Sequence, residues 1–199
     1  MNQPEQTATA PALSDDDWAQ LARAHEEYLT QVSPAYDEVL HQVSDRIGTS
    51  GSIGKVDIGA LVFWKRLQAN TKWANRLGAM PDHDIRAVTA EAVTVAKDGD
   101  IPTPHAAERA RDVLRVLPGF GSGPALASAV LTAAAPGRMA VYDRRARNGL
   151  TKLGLELPRE RRYGHYMERV EQLRLCASER GLDWSARDVD MALYMLGRG

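Results

Sequence analysis

Apolar residues recur along this chain at helical spacing, and nowhere with the period-two alternation of a half-buried strand. Ser14, with Asp17 three residues on, predicts a capped helix start. Trp18, Leu21, Ala22, Tyr28, Leu29 and Val32 then share one helical face. Pro34 breaks and restarts the run, which Tyr36, Val39, Leu40, Val43 and Ile47 continue. Gly48-Thr49-Ser50-Gly51-Ser52-Ile53-Gly54 reads as a loop and a lobe boundary. Beyond it Asp57 is expected to cap a helix carrying Ile58, Leu61, Val62 and Leu67, and Asn70 or Thr71 restarts the chain for a short helix with Trp73 and Leu77. Pro81-Asp82 opens a helix to about Lys97 with Ile85, Val88, Ala92, Val93 and Ala96 inward. Thr103-Pro104, read as an N-cap followed by proline at the first helical position, opens another helix to Val116.

Leu117-Pro118-Gly119-Phe120-Gly121-Ser122-Gly123 cannot continue that helix, because proline and three glycines in seven residues demand a tight turn. The small residues Ala125, Ala127, Ser128 and Ala129, with Val130 and Leu131, predict a closely packed helix after it. Asp143 then opens a helix within the run Val141-Tyr142-Asp143-Arg144-Arg145-Ala146-Arg147. Arg162-Tyr163-Gly164 reads as an interruption before a long helix with Tyr166, Val170, Leu173 and Cys176, closed by Gly181. Ser185 with Asp188 caps the last helix, whose Val189, Ala192, Leu193 and Leu196 point inward. The chain is expected to be all-α, two-lobed, with about ten helices. Residues 1–13 are expected to be disordered, and 14–199 to form a single domain. Lobe one takes 14–50 plus 163–199, and lobe two takes 55–155 with the hairpin at 117–123.

Composition adds limits to this picture. The 199 residues are 44% apolar and 26% charged, ordinary for a globular chain, and the formal net charge is −1. A single cysteine, Cys176, excludes an internal disulfide framework and suits a reducing compartment. No apolar run approaches a membrane span and the polar first residues hold no signal core, so the expected location is cytoplasmic. Charge is unevenly spread. Met1–Arg46 holds nine acidic residues against Arg23 and Arg46, whereas Arg138–Arg162 holds eight basic residues against Asp143, Glu156 and Glu160. Five basic residues between Lys55 and Arg76 face one acid, Asp57, and form a second basic zone. Such asymmetry builds a local positive field on a neutral protein. The five histidines show no metal-site spacing, and neither a nucleophile elbow nor a phosphate loop is present.

Two helices joined by Leu117-Pro118-Gly119-Phe120-Gly121, with Ala125 four residues on, resemble the helix-hairpin-helix element of nucleic-acid-binding proteins. The sequel through Pro136-Gly137 to Asp143, then Lys152-Leu153-Gly154, is similar to the helix-hairpin-helix DNA glycosylase superfamily, nearest a bacterial branch like the 8-oxoguanine glycosylases. The match spans about residues 104–154. The resemblance implies hydrolysis of the N-glycosidic bond of a damaged or modified base in double-stranded DNA, with Asp143 catalytic. It implies phosphate contacts from Gly119, Gly121, Ser122 and Gly123, to which Arg144, Arg145, Arg147 and Lys152 add attraction. Trp64, Lys65, Trp73, Phe120 and Tyr142 are candidate walls of a pocket for the extruded base. A monovalent cation on hairpin carbonyls is implied for related hairpins, and no other cofactor or metal is expected.

Two departures shape the expectation. Relatives that also cleave the strand carry a lysine just after the hairpin, where this chain has Gly123, and no lysine lies between Lys97 and Lys152. The expectation is therefore a monofunctional enzyme, unless a distant lysine such as Lys65 reaches the site. One cysteine also cannot hold the iron–sulfur cluster of some relatives. An aspartate opening a helix is equally an ordinary N-cap. Two other readings therefore stand beside the enzyme: a non-catalytic DNA-binding protein, nucleoid-associated, or a helical interaction protein whose hairpin is only a turn.

Overall fold

Ser14 supplies the start of the first helix: its hydroxyl accepts from the Asp17 amide at 3.1 Å, and three aspartates sit in the first turn. Acidic groups there are favoured by the helix dipole. The computed structural model describes residues 13–68, 72–158, 160 and 162–198. Apart from Leu13, the segment expected to be disordered lies outside these residues, as do Asn70 and Thr71 and the basic-run residues Arg159 and Arg161. Among the described residues the protein is all-helical. Helices α1 (Asp15–Gln31) and α2 (Glu38–Ser50) flank a 3₁₀ turn at Pro34–Tyr36, and α3 (Lys55–Trp64), α4 (Lys72–Ala79), α5 (Asp82–Lys97) and α6 (Thr103–Leu114) follow. The chain continues with α7 (Ala125–Ala134), α8 (Arg144–Lys152), α9 (Tyr163–Glu179) and α10 (Ala186–Leu196).

Helix α7 is the axis of the packing. Every residue from Leu126 to Ala134 is buried, and the helix touches α2, α3, α5 and α6. A helix apolar all round belongs in an interior, and its alanines and Ser128 let neighbours approach closely. One continuous apolar core runs from Leu21 of α1 through Ile47, Leu61 and Val130 to Leu193 of α10. A smaller cluster of Ala24, Tyr28, Met191 and Met195 seals α1 against α10.

Several local expectations change. The buried face of α1 is Leu21, Ala24 and Tyr28, and Leu29 is exposed. Helix α2 runs through Gly48 to Ser50 and ends at Gly51, whose φ of +66° places it in the left-handed region. Asp57 is not an N-cap; Gly54 holds that position, and Asp57 accepts from the Gly54 amide at 3.0 Å from inside the first turn. Helix α3 stops at Trp64, short of Leu67. Thr103 is inside α6 rather than its cap, and receives a hydrogen bond from Arg138 Nε instead. Tyr163 and Gly164 begin α9 rather than interrupt it, and both are buried. Helix α9 lies against α6 and α10. Helix α10 packs on both α1 and α8, and Arg180 and Trp184 ahead of it reach Asp15 and Trp18 of α1.

Candidate functional site

Asp143 sits where an extended segment meets a helix. Met139, Ala140, Val141 and Tyr142 are all buried, and their backbone is held from two sides. Tyr163 of α9 donates its hydroxyl to the Ala140 carbonyl at 2.8 Å, and the Tyr142 amide donates to Ser128 Oγ of α7 at 2.9 Å. The Tyr142 ring stacks on Tyr166 with centroids 4.6 Å apart and planes 6° from parallel. The helix after the hairpin thus positions the aspartate through one buried hydrogen bond. Asp143 then caps α8, its Oδ1 accepting from the Ala146 amide at 2.9 Å.

Its other oxygen faces Lys65. Lys65 Nζ lies 3.2 Å from Asp143 Oδ2, and their side chains are only 7% and 21% exposed. The ammonium also sits 5.1 Å from the Trp64 ring centroid and 5.6 Å from that of Tyr194, within cation–π range. Helix α3 delivers it by its terminal geometry. The Arg66 amide donates to Phe63 O at 3.0 Å and the Leu67 amide to Val62 O at 2.9 Å, the paired bonds of a Schellman ending. That motif needs a left-handed residue, and Arg66 supplies it with φ +51°.

Behind this pair lies a buried ionic network that the sequence reading did not anticipate. Arg187 donates to both Asp37 oxygens at 2.8 Å, to Tyr28 Oη at 2.8 Å, and to Asp190. Trp64 Nε1 donates to Asp37 at 3.1 Å. The Asp190 side chain is 2% exposed. Burial pushes its carboxyl above the ordinary carboxylate range, Arg187 and Lys65 pull it back, and Asp143 pushes it further up. Burial likewise raises the Tyr166 phenol well above its ordinary value, with Asp190 and Asp143 adding to the shift. A charged pair at Arg187 and Asp190, inside the inward stripe of α10, was the available signal.

Two cavities open on Asp143. One, of about 410 Å³, is lined by Tyr36, Lys65, Arg66, Leu67, Arg144, Arg145 and Tyr194 together with Asp143. The other, of about 310 Å³, lies between Pro124-Ala125 at the start of α7 and Tyr142, Asp143, Arg144 and Arg147. The proposed wall residues divide. Lys65 lines the larger cavity, Tyr142 borders the smaller one, and Trp64 stands against Lys65 but is itself buried. Phe120 is fully buried in the core and does not reach either cavity, because the turn directs its ring inward under the hairpin. Trp73 packs against Gly119 instead.

The hairpin exposes Gly121 and Ser122, with Gly119 at φ +93° and Gly123 at φ +116°. Ser122 Oγ donates to the Gly119 carbonyl at 3.3 Å. Among the basic residues, Arg144 is exposed, Arg147 is half-buried on the smaller cavity, and Arg145 donates to Tyr194 Oη with its guanidinium 4.8 Å from that ring. Lys152 donates to Leu196 O at 2.9 Å and closes the C-terminus of α10. Arg138 is spent on the carbonyls of Ala96, Asp98 and Ile101. Among the described residues no three His, Cys, Asp or Glu side chains are grouped to hold a metal, and no helix is long and apolar enough to cross a membrane.

The arrangement can hold a negative ligand at its rim and sets an ammonium against a carboxylate at its floor. No protein-family model matches the chain, and no curated protein or solved structure matches it.

Proposed function

We propose that the protein binds double-stranded DNA through the hairpin and α8 and hydrolyses the N-glycosidic bond of a damaged or modified base. The observation that carries the reading is the placement of Asp143: tied to the hairpin helix through Tyr142 and Ser128, and open to two arginine-rimmed cavities. Breaking an N-glycosidic bond puts positive charge on the sugar, and a fixed carboxylate stabilises that charge or orients a water. Arg144, Arg147 and Arg66 line these cavities and are the groups proposed to meet the phosphates flanking an extruded nucleotide, with the hairpin amides as neutral donors. The test is base release from duplexes carrying oxidised, alkylated, deaminated or mismatched bases. Asp143→Asn keeps a good helix cap, so its fold and DNA affinity should persist while release falls at least roughly 100-fold. Release undiminished in Asp143→Asn removes Asp143 from the chemistry.

One observation favours a non-catalytic DNA-binding protein. Both carboxylate oxygens already have partners, Oδ1 the Ala146 amide and Oδ2 the Lys65 ammonium, as in a purely structural cap. Binding to every duplex with release from none establishes that reading.

A further inference from the structure

We propose that the outer face of α3 is a self-association surface, on which a second copy of this chain lays its own α3 in the opposite direction. Pairing of this kind is independent of the DNA reading above.

Helix α3 is apolar on both sides. Between Asp57 and Lys65 it carries no charged residue, and Ile58, Leu61, Val62 and Trp64 are buried in the core. Its outer side repeats the pattern: Val56, Gly59, Ala60 and Phe63 follow the i, i+3, i+4, i+7 spacing of a contact stripe. Val56 is 77% exposed and Phe63 76%. A helix apolar all round belongs in an interior, yet this fold covers one side of it. At the centre of the stripe a Cβ on Gly59 would meet nothing within 4 Å, so the backbone lies open to close approach by another helix.

Shape and charge both select a second copy as the occupant. The stripe is symmetric about a point between Gly59 and Ala60, with Val56 three residues before Gly59 and Phe63 three after Ala60. On a two-fold axis, a reversed copy therefore sets Phe63 of each chain opposite Val56 of the other, as an isologous contact requires. The groove between α2 and α3 holds a cavity of about 480 Å³ at each end, one beside Val56, Thr49 and Ser50, the other beside Phe63, Tyr36 and Val39. In this register each Phe63 ring enters the cavity beside the other copy's Val56. The stripe brings no like charges together, and the two antiparallel helix dipoles attract. Arg66, about one turn beyond Phe63, comes to the C-terminal end of the second copy's α2. That end has no basic residue in its last turn, its carbonyls carry partial negative charge, and the exposed Asp45 borders the same cavity. Arg66 also lines the cavity on Asp143, so the monomer is the form that offers this guanidinium to a phosphate.

The experiment is sedimentation velocity on full-length protein without DNA. The stripe is smaller than the roughly 20–30 residues a side of a standard interface, so a dimer dissociating at micromolar concentration is expected over a series of about 1 to 200 µM. Gly59→Leu puts a better helix former into open space and should keep or raise the thermal midpoint. It holds a second α3 away, so dimerisation should weaken at least about 10-fold, as it should in Phe63→Gln. Cross-linking reads the register in a Cys176→Ser background. Val56→Cys mixed with Phe63→Cys should link between chains and neither should link alone, because like positions of the two copies stand about 10 Å apart along the axis. Monomer throughout the series overturns the proposal, as does association undiminished in both Gly59→Leu and Phe63→Gln. Linking of Val56→Cys alone as strong as in the mixture overturns it too, and so do species larger than a dimer, since a two-fold contact closes on itself.

Discussion

Arg66 is the one non-glycine residue among those described with a positive φ, and it stands at the mouth of the cavity that holds Lys65 and Asp143. A Schellman ending prefers glycine at this position, so the guanidinium is kept there at a cost to the fold. Strained residues of this kind gather at binding sites. Arg66→Gly relieves roughly 1–2 kcal/mol of left-handed strain, less the roughly 0.5–1 kcal/mol of extra chain entropy that glycine loses on folding. A net gain of about 0.5–1 kcal/mol in urea unfolding is expected, together with weaker DNA binding. Arg66→Ala should lose the same affinity without the gain in stability. Affinity unchanged in both variants takes Arg66 off the ligand face, and a less stable glycine variant shows that no strain is stored there.

At the scale of elements, the site depends on how closely α8 and α10 cross. A Cβ at Gly149 would lie 2.4 Å from the Leu193 carbonyl oxygen, a backbone atom that cannot swing aside. Gly149→Ala must therefore part the helix carrying Asp143 at its cap from the helix carrying Asp190 and Tyr194, at a cost of about 1–3 kcal/mol. Thermal unfolding should show this loss, and base release should fall with it. Gly123→Ala, by contrast, meets nothing within 4 Å and carries only the strain of φ +116°, so it should disturb DNA binding without loosening the core. Equal stability loss in the two variants would refute the distinction. Elements with explicit punctuation were legible beforehand: Pro81-Asp82 at the start of α5, Ser185 with Asp188 at α10, and the glycine turn before α7. Glycines whose role is contact were misread, because a sequence does not say what a missing Cβ makes room for. Gly164 looked like a break but lets α9 close on α6, where a Cβ would meet the Pro104 carbonyl oxygen at 2.9 Å. Gly48 looked like a loop start, yet the left-handed stop came at the next glycine, Gly51. Asp143 was legible as a helix cap after the hairpin, and Lys65 as a lysine that could reach it, but not the 3.2 Å contact between them. Long-range pairing of this kind has no local periodicity, so which carboxylate Lys65 meets had to come from the fold.

Over the whole molecule, a net charge of −1 means that any DNA affinity must come from the local arrangement of charge. The structure thins the basic run considerably. Arg138 is consumed by backbone carbonyls, Lys152 by the end of α10, and Arg145 partly by Tyr194. That leaves Arg66, Arg144 and Arg147 around the two cavities as the main candidates for phosphate contact. The acidic first helix, with Asp15, Asp16 and Asp17 in its opening turn, supplies the opposite sign elsewhere on the surface. Three phosphate contacts predict a slope of log K against log salt near roughly −2.7, so affinity should fall about 40-fold between about 50 and 200 mM salt. Replacing Arg144 and Arg147 together by Gln should flatten that slope by about 1.8. Arg138→Gln should leave the slope alone and lower stability, because its lost bonds are to buried or half-buried backbone rather than to a ligand. Anisotropy titrations over a salt series measure both quantities on the same samples. A slope insensitive to Arg144 and Arg147 would place the DNA on another face, and Asp143 would then have no nucleotide to act on. A slope that responds as expected, in a protein of almost no net charge, ties the binding surface to the two cavities that open on Asp143.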